Sequence, residues 1–121
     1  MESILIVDDD VNLCTVLKEE LSEVGYEVDY VNSGFDVSKF LDSKAVDLIL
    51  LDLKMPGKDG FEVLNDLSNQ KASTKIIVLT AYADVKSAID SAKMGASDFI
   101  SKPYDLDELL ITIRKVLQRD S

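Results

Sequence analysis

The chain has no histidine and no tryptophan, one cysteine and two prolines in 121 residues. Without histidine there is no Ser-His-Asp nucleophile, no imidazole metal ligand and no phosphohistidine on this chain. A single cysteine, Cys14, excludes an internal disulfide and fits a reducing compartment. With no histidine to activate it, Cys14 reads as a core or surface thiol rather than a nucleophile. No apolar run approaches the roughly 20 residues of a membrane span. The start, Met1-Glu2-Ser3, lacks the basic segment and apolar stretch of a secretion signal. A soluble, cytoplasmic protein without membrane contact is expected. Positive charge is also scarce: 13 Lys+Arg against 23 Asp+Glu give a formal net charge of −10. Such a surface repels phosphates, which argues against direct nucleic-acid binding and favours cations and basic partner patches.

Apolar residues are plentiful, at 46%, enough for the core of one compact domain over 1–121. Short apolar runs alternate with amphipathic stretches five times. Ile4–Val7 and Leu48–Leu51 are fully apolar, as strands covered on both faces must be. Glu27–Val31 is more polar and suits a sheet edge. Lys75–Leu79 and Ser97–Ile100 are the remaining strands. Helical spacing runs from Val11 to Val24, near Phe35–Leu41, through Phe61, Leu64 and Leu67, from Val85 to Met94, and from Leu106 to Leu117 with Asp105 as cap. Gly25 and Gly95 close two of these helices. Met55-Pro56-Gly57 and Asp59-Gly60 make Asp52–Gly60 a loop. Connections this short predict one parallel sheet with helices on both faces. Residues 118–121 are either the frayed end of the last helix or the start of a linker.

Five polar side chains stand where the apolar runs end or just beyond: Asp8 and Asp9, Asp52, Thr80 and Lys102. In a parallel sheet they gather at the carboxyl edge, where open α/β sheets place their ligands. Three carboxylates, a hydroxyl and a lysine suit Mg²⁺ and a phosphoryl group. Each alone has a plainer reading as a helix cap, a turn residue or solvent charge, and Asp10 is read as the cap of the first helix. Helix caps do not explain all five meeting at one edge. Asp8, Asp10, Asn12 and Glu19 also match four positions of a calcium-binding EF-hand loop. The glycine that loop needs at its sixth position is Leu13 here, and the segment follows a strand, so the match is rejected. Gly57 and Gly60 lack the spacing of a phosphate-cradling loop.

Taken together, Ile6-Val7-Asp8-Asp9, Leu51-Asp52-Leu53-Lys54-Met55-Pro56-Gly57-Lys58-Asp59-Gly60, Leu79-Thr80-Ala81-Tyr82 and Lys102-Pro103-Tyr104 resemble the receiver domain of two-component response regulators. The resemblance covers essentially the whole chain. Its Thr80-Ala81-Tyr82 and Lys102–Leu109 stretches look most like receivers of sporulation phosphorelays and sigma-54-dependent activators. It implies a flavodoxin-like (βα)5 doubly wound sheet of order 2-1-3-4-5. It implies that Asp52 accepts a phosphoryl group from a histidine kinase or a histidine phosphotransfer protein. Mg²⁺ would be held by Asp8, Asp9, Asp52 and the backbone carbonyl of Lys54. Thr80 and Lys102 would hold the phosphoryl oxygens, and the Lys102-Pro103 bond would be cis. Asn12, Leu13, Val16, Pro103 and Tyr104 would face the kinase, although spacing alone assigns Leu13 equally well to the core.

A phosphoryl group adds negative charge and acceptor oxygens at Asp52. By the resemblance, Thr80 and Phe99 are the switch residues. Thr80 moves toward the group, Phe99 fills the space, and the change is expressed on the fourth helix, fifth strand and fifth helix. A downstream output domain or target protein then responds, with a phosphorylation-dependent homodimer as one form of response. Lys54 and Tyr82, each two residues past a site residue, are expected to hinder the water that hydrolyses the acyl phosphate. Two other functions compete. A Mg²⁺-dependent phosphatase or phosphotransferase with Asp52 as nucleophile would ordinarily carry a second Asp where Lys54 stands, and would need a cap domain. An unphosphorylated binding module would not need the site residues.

Overall fold

Five strands and five helices alternate in a computed structural model that describes residues 1–70 and 73–119. The strands are β1 (Ser3–Val7), β2 (Glu27–Val31), β3 (Leu48–Leu51), β4 (Lys75–Thr80) and β5 (Asp98–Ser101). The helices are α1 (Val11–Glu23), α2 (Val37–Ser43), α3 (Gly60–Asn69), α4 (Val85–Lys93) and α5 (Leu106–Gln118). A 3-10 turn, Gly34–Asp36, leads into α2. All pairings are parallel and the order is β2-β1-β3-β4-β5, the flavodoxin-like order that the receiver resemblance implies. Of the stretch 118–121, α5 reaches Gln118, while Asp120 and Ser121 lie outside the described residues. Among the described residues, no helix is long and apolar enough to cross a membrane.

The sheet separates two apolar layers because side chains alternate along each strand. Ile4 and Ile6 join Leu48, Leu50 and Ile77 under α1 and α5. Leu5 and Val7 join Ile49 and Leu51 under α2 and α3. Both faces are therefore dry, which explains why β1 and β3 carry unbroken apolar runs. Polar β2 forms one edge, where Lys44 pairs with Asp29 at 2.9 Å and with Glu27.

Helix starts follow the side-chain chemistry. Asp10, Asp59, Asp84 and Asp105 each accept a hydrogen bond from a backbone N–H of the first turn. Asp59 and Glu62 complete a reciprocal capping box. Gly25 and Gly95 leave α1 and α4 with φ of 105° and 107°, a conformation that disfavours other residues. On the fourth helix the apolar spacing does not mark a packed face. Val85 is 76% and Ile89 49% exposed, and Ser91 is its buried residue.

The loop after β3 is pinned where the helix begins. The Gly60 N–H donates to the Leu53 carbonyl at 2.8 Å. A Cβ on Gly60 would lie 2.2 Å from the carbonyl oxygen of Asp52 and 2.5 Å from the Cα of Leu53. Both are backbone atoms, so neither can swing aside. Gly60→Ala is expected to destabilise the fold by about 1–3 kcal/mol, as overpacking does, read as a lower urea midpoint at unchanged slope. An unchanged midpoint would contradict this account of the loop.

Candidate functional site

The pairing of Val7 with Leu51 sets Asp8 beside Asp52 at the carboxyl edge of neighbouring strands. The Asp52 N–H continues that ladder, donating to the Val7 carbonyl at 2.9 Å. On the other side of β3, β4 ends at Thr80 and β5 at Ser101, paired with one another. The Lys102 N–H donates to the Thr80 carbonyl at 2.9 Å, which anchors the root of the lysine. Its side chain reaches back across the edge. Nζ lies 2.6 Å from Asp8 Oδ2 and 3.4 Å from Asp52 Oδ2. The Lys102-Pro103 peptide bond is cis.

Both carboxylates are nearly enclosed, with side-chain exposures of 3% for Asp8 and 9% for Asp52. Burial raises the pKa of the Asp8 carboxyl, against the pull of Lys102 and of the Asp10 N–H, and the neighbouring Asp52 charge adds to the rise. For Lys102, burial works against the ammonium. The Asp8 and Asp52 carboxylates outweigh it and hold the lysine above its usual pKa. The remaining carboxylate oxygens meet backbone. Asp8 Oδ1 accepts from the Asp10 N–H at 2.9 Å, and Asp52 Oδ1 from the Lys54 N–H at 3.3 Å. Thr80 is fully buried, and its Oγ1 accepts from the Tyr82 N–H at 3.2 Å.

The carboxylates of Asp8, Asp9 and Asp52 each offer an oxygen within 4.8 Å of the others. Three carboxylates against one ammonium leave an excess of two negative charges. All-oxygen donors with that excess fit a hard divalent cation of the Mg²⁺ kind. Asp10 stands apart from this set. Its side chain accepts from the Leu13 N–H and caps α1.

Other residues singled out in the sequence fall around the rim. The Lys54 ammonium hydrogen-bonds the Tyr82 hydroxyl and lies 4.3 Å from the centre of its ring. This hydrogen bond joins the loops after β3 and β4. Phe99 is half-buried in β5. On α1, Asn12 and Val16 are exposed, whereas Leu13 is half-buried against the core. Tyr104 hydrogen-bonds Glu20, tying the loop before α5 to α1 beside exposed Pro103. Cys14 is a core thiol with its pKa pushed up to about 12, chiefly by burial.

Sequence reasoning missed one contributor. Asn32, just beyond β2, donates from Nδ2 to the Asp8 carbonyl at 2.9 Å. An amide side chain one residue past an edge strand gives little signal, because turns commonly carry asparagine.

Known proteins share this fold and much of this sequence. Transcriptional regulatory protein ZraR of Klebsiella oxytoca is 37% identical over 94% of this chain and 26% of its own length. Response regulator ArlR of Staphylococcus epidermidis is 41% identical over 98% of this chain and 54% of its own. The chain therefore spans about half or less of these relatives. Among solved structures, the BeF3-activated N-terminal receiver domain of Klebsiella pneumoniae RstA superposes with a TM-score of 0.91 at 30% identity, covering 98% of this chain and all of that one. Residues 4–114 match the family model of the response regulator receiver domain, and the chain belongs to that family.

Proposed function

We propose that residues 1–121 form one receiver unit in which Asp52 takes a phosphoryl group from a phosphohistidine of a histidine kinase or phosphotransfer protein. The observation that carries this reading is the convergence of Asp8, Asp9 and Asp52 with Lys102 at one sheet edge. In the transfer, an Asp52 carboxylate oxygen forms a bond to phosphorus. The phosphorus–nitrogen bond breaks, and the imidazole leaves with its electron pair. Asp8, Asp9, Asp52 and the Lys54 carbonyl would hold Mg²⁺. When bound, the ion supplies charge that relieves repulsion between the carboxylates and the phosphoryl oxygens. Lys102 offers a compact cation to one phosphoryl oxygen, and the Thr80 hydroxyl a hydrogen bond to another. This chemistry needs no general base, in keeping with a chain that lacks histidine. Catalysis is confined to the chain's own phosphoryl transfer and its later hydrolysis.

The signal then passes through Thr80. Its hydroxyl now holds the Tyr82 N–H, so a pull toward a phosphoryl group is felt by the loop leading to α4. Phe99 responds by packing inward, and the face formed by α4, β5 and α5 presents the outcome to an output domain, a target or a second copy. The kinase meets Asn12, Leu13 and Val16 of α1 with Pro103 and Tyr104. Val16, with 53% exposure, is the apolar side chain that fits this role.

Three outcomes test the proposal. With acetyl phosphate and Mg²⁺, the intact mass should rise by one phosphoryl group, and Asp52→Asn or EDTA should abolish the gain. No gain for the unaltered chain, even with a phosphohistidine donor, would reject the acceptor role. The paired Lys54→Ala, Tyr82→Ala variant should lose its phosphoryl group several-fold faster, since the linked side chains no longer screen phosphorus from water; equal rates would reject their screening role. Beryllofluoride should change the Phe99 ring environment and rotamer by NMR. A single rotamer with and without it would exclude Phe99 as the switch.

A further inference from the structure

We infer that Asn32 is a positioning residue for the acidic pair, fixing the peptide between Asp8 and Asp9 and thereby the aim of the Asp9 carboxylate. The inference rests on the proposed Mg²⁺ role of the site. The three carboxylates are held unequally. Asp8 is held by the Lys102 ammonium and the Asp10 N–H. Asp52 is held by Lys102 and the Lys54 N–H. Among the described residues, the exposed Asp9 carboxylate has no such hydrogen bond, so its direction depends on its backbone.

That backbone is fixed by a substitution of side chain for main chain. The Asp8 N–H donates to the Val31 carbonyl at 3.2 Å, extending the parallel ladder of β1 and β2 by one bond. The pattern next calls for the Ser33 N–H to meet the Asp8 carbonyl. There the chain turns away, and Ser33 becomes the cap of the 3-10 turn. The Asn32 Nδ2 takes that place, 2.9 Å from the Asp8 carbonyl. Its orientation is unambiguous, because a carbonyl only accepts. The Cys14 thiol is a second donor to the same oxygen, at 3.5 Å, and lies 3.6 Å from Asn32 Nδ2. The peptide plane is thus clamped from a third segment of the chain. Partners that orient metal ligands commonly influence affinity without touching the ion.

The test is calorimetric titration of metal-free protein with MgCl₂, comparing the unaltered chain with Asn32→Ala and Asn32→Leu. The leucine keeps side-chain volume without the donor and guards against simple collapse. Both variants should bind Mg²⁺ roughly tenfold more weakly, the low end for such partners. The ¹³C′ resonance of Asp8 should move in both metal-free variants as its carbonyl loses a donor. A lower unfolding midpoint with unchanged Mg²⁺ affinity would overturn the inference, because the amide would then serve stability alone. If the unaltered chain binds no Mg²⁺, the metal reading fails and this inference fails with it.

Discussion

The Lys102 ammonium compensates two carboxylates that the fold forces together. Parallel register places Asp8 and Asp52 on adjacent strands, both nearly enclosed. Left alone, they repel each other and lose hydration. Lys102 is delivered from the far side of the sheet, its N–H bonded to the Thr80 carbonyl and its Nζ reaching Asp8 at 2.6 Å. The strand order is what makes this reach feasible. With β3 central and β5 outermost, one extended lysine crosses the mouth formed by β1, β3 and β4. Compensation is partial, and the surplus of negative charge fits the chemistry of a divalent cation. The same lysine is available to a phosphoryl oxygen, so it serves the resting site and the proposed transfer alike.

Much of this was legible in the sequence because burial on both faces leaves a plain trace. The unbroken runs Ile4–Val7 and Leu48–Leu51 have no amphipathic alternative, and their carboxyl ends name the site. The polar run Glu27–Val31 marked an edge for the converse reason, and Asp105 marked the start of α5. Elsewhere periodicity was insufficient. The helical spacing around Val85 and Ile89 suits a packed stripe, yet Val85 stands largely in solvent and Ile89 is about half exposed. Spacing reports that a face is apolar, not what covers it. Leu13 was ambiguous for the same reason, and three-dimensional placement turns it partly inward while Val16 faces out.

Contacts between segments distant in sequence were the least legible part. The Lys54–Tyr82 link, the Tyr104–Glu20 hydrogen bond and the Asn32–Asp8 clamp each join segments far apart in sequence through residue types common on any surface. Strand register decides which loops become neighbours, and register is a property of the whole sheet. The Gly60 backbone contact belongs with them. A glycine opening a helix reads as a permissive turn, whereas here the missing Cβ is what lets α3 seat against the exit of β3.

The charged rim of β2 has a consequence for how such a domain lives among copies of itself. A parallel sheet ends in an open row of amide and carbonyl groups, and a flat, apolar border would invite a neighbour's strand to add to it. Here Glu27 and Asp29 line that border, and Lys44 folds over them. A second copy approaching in register would set like charges against like and would have to displace the lysine. Fibrous growth along this border is thereby discouraged.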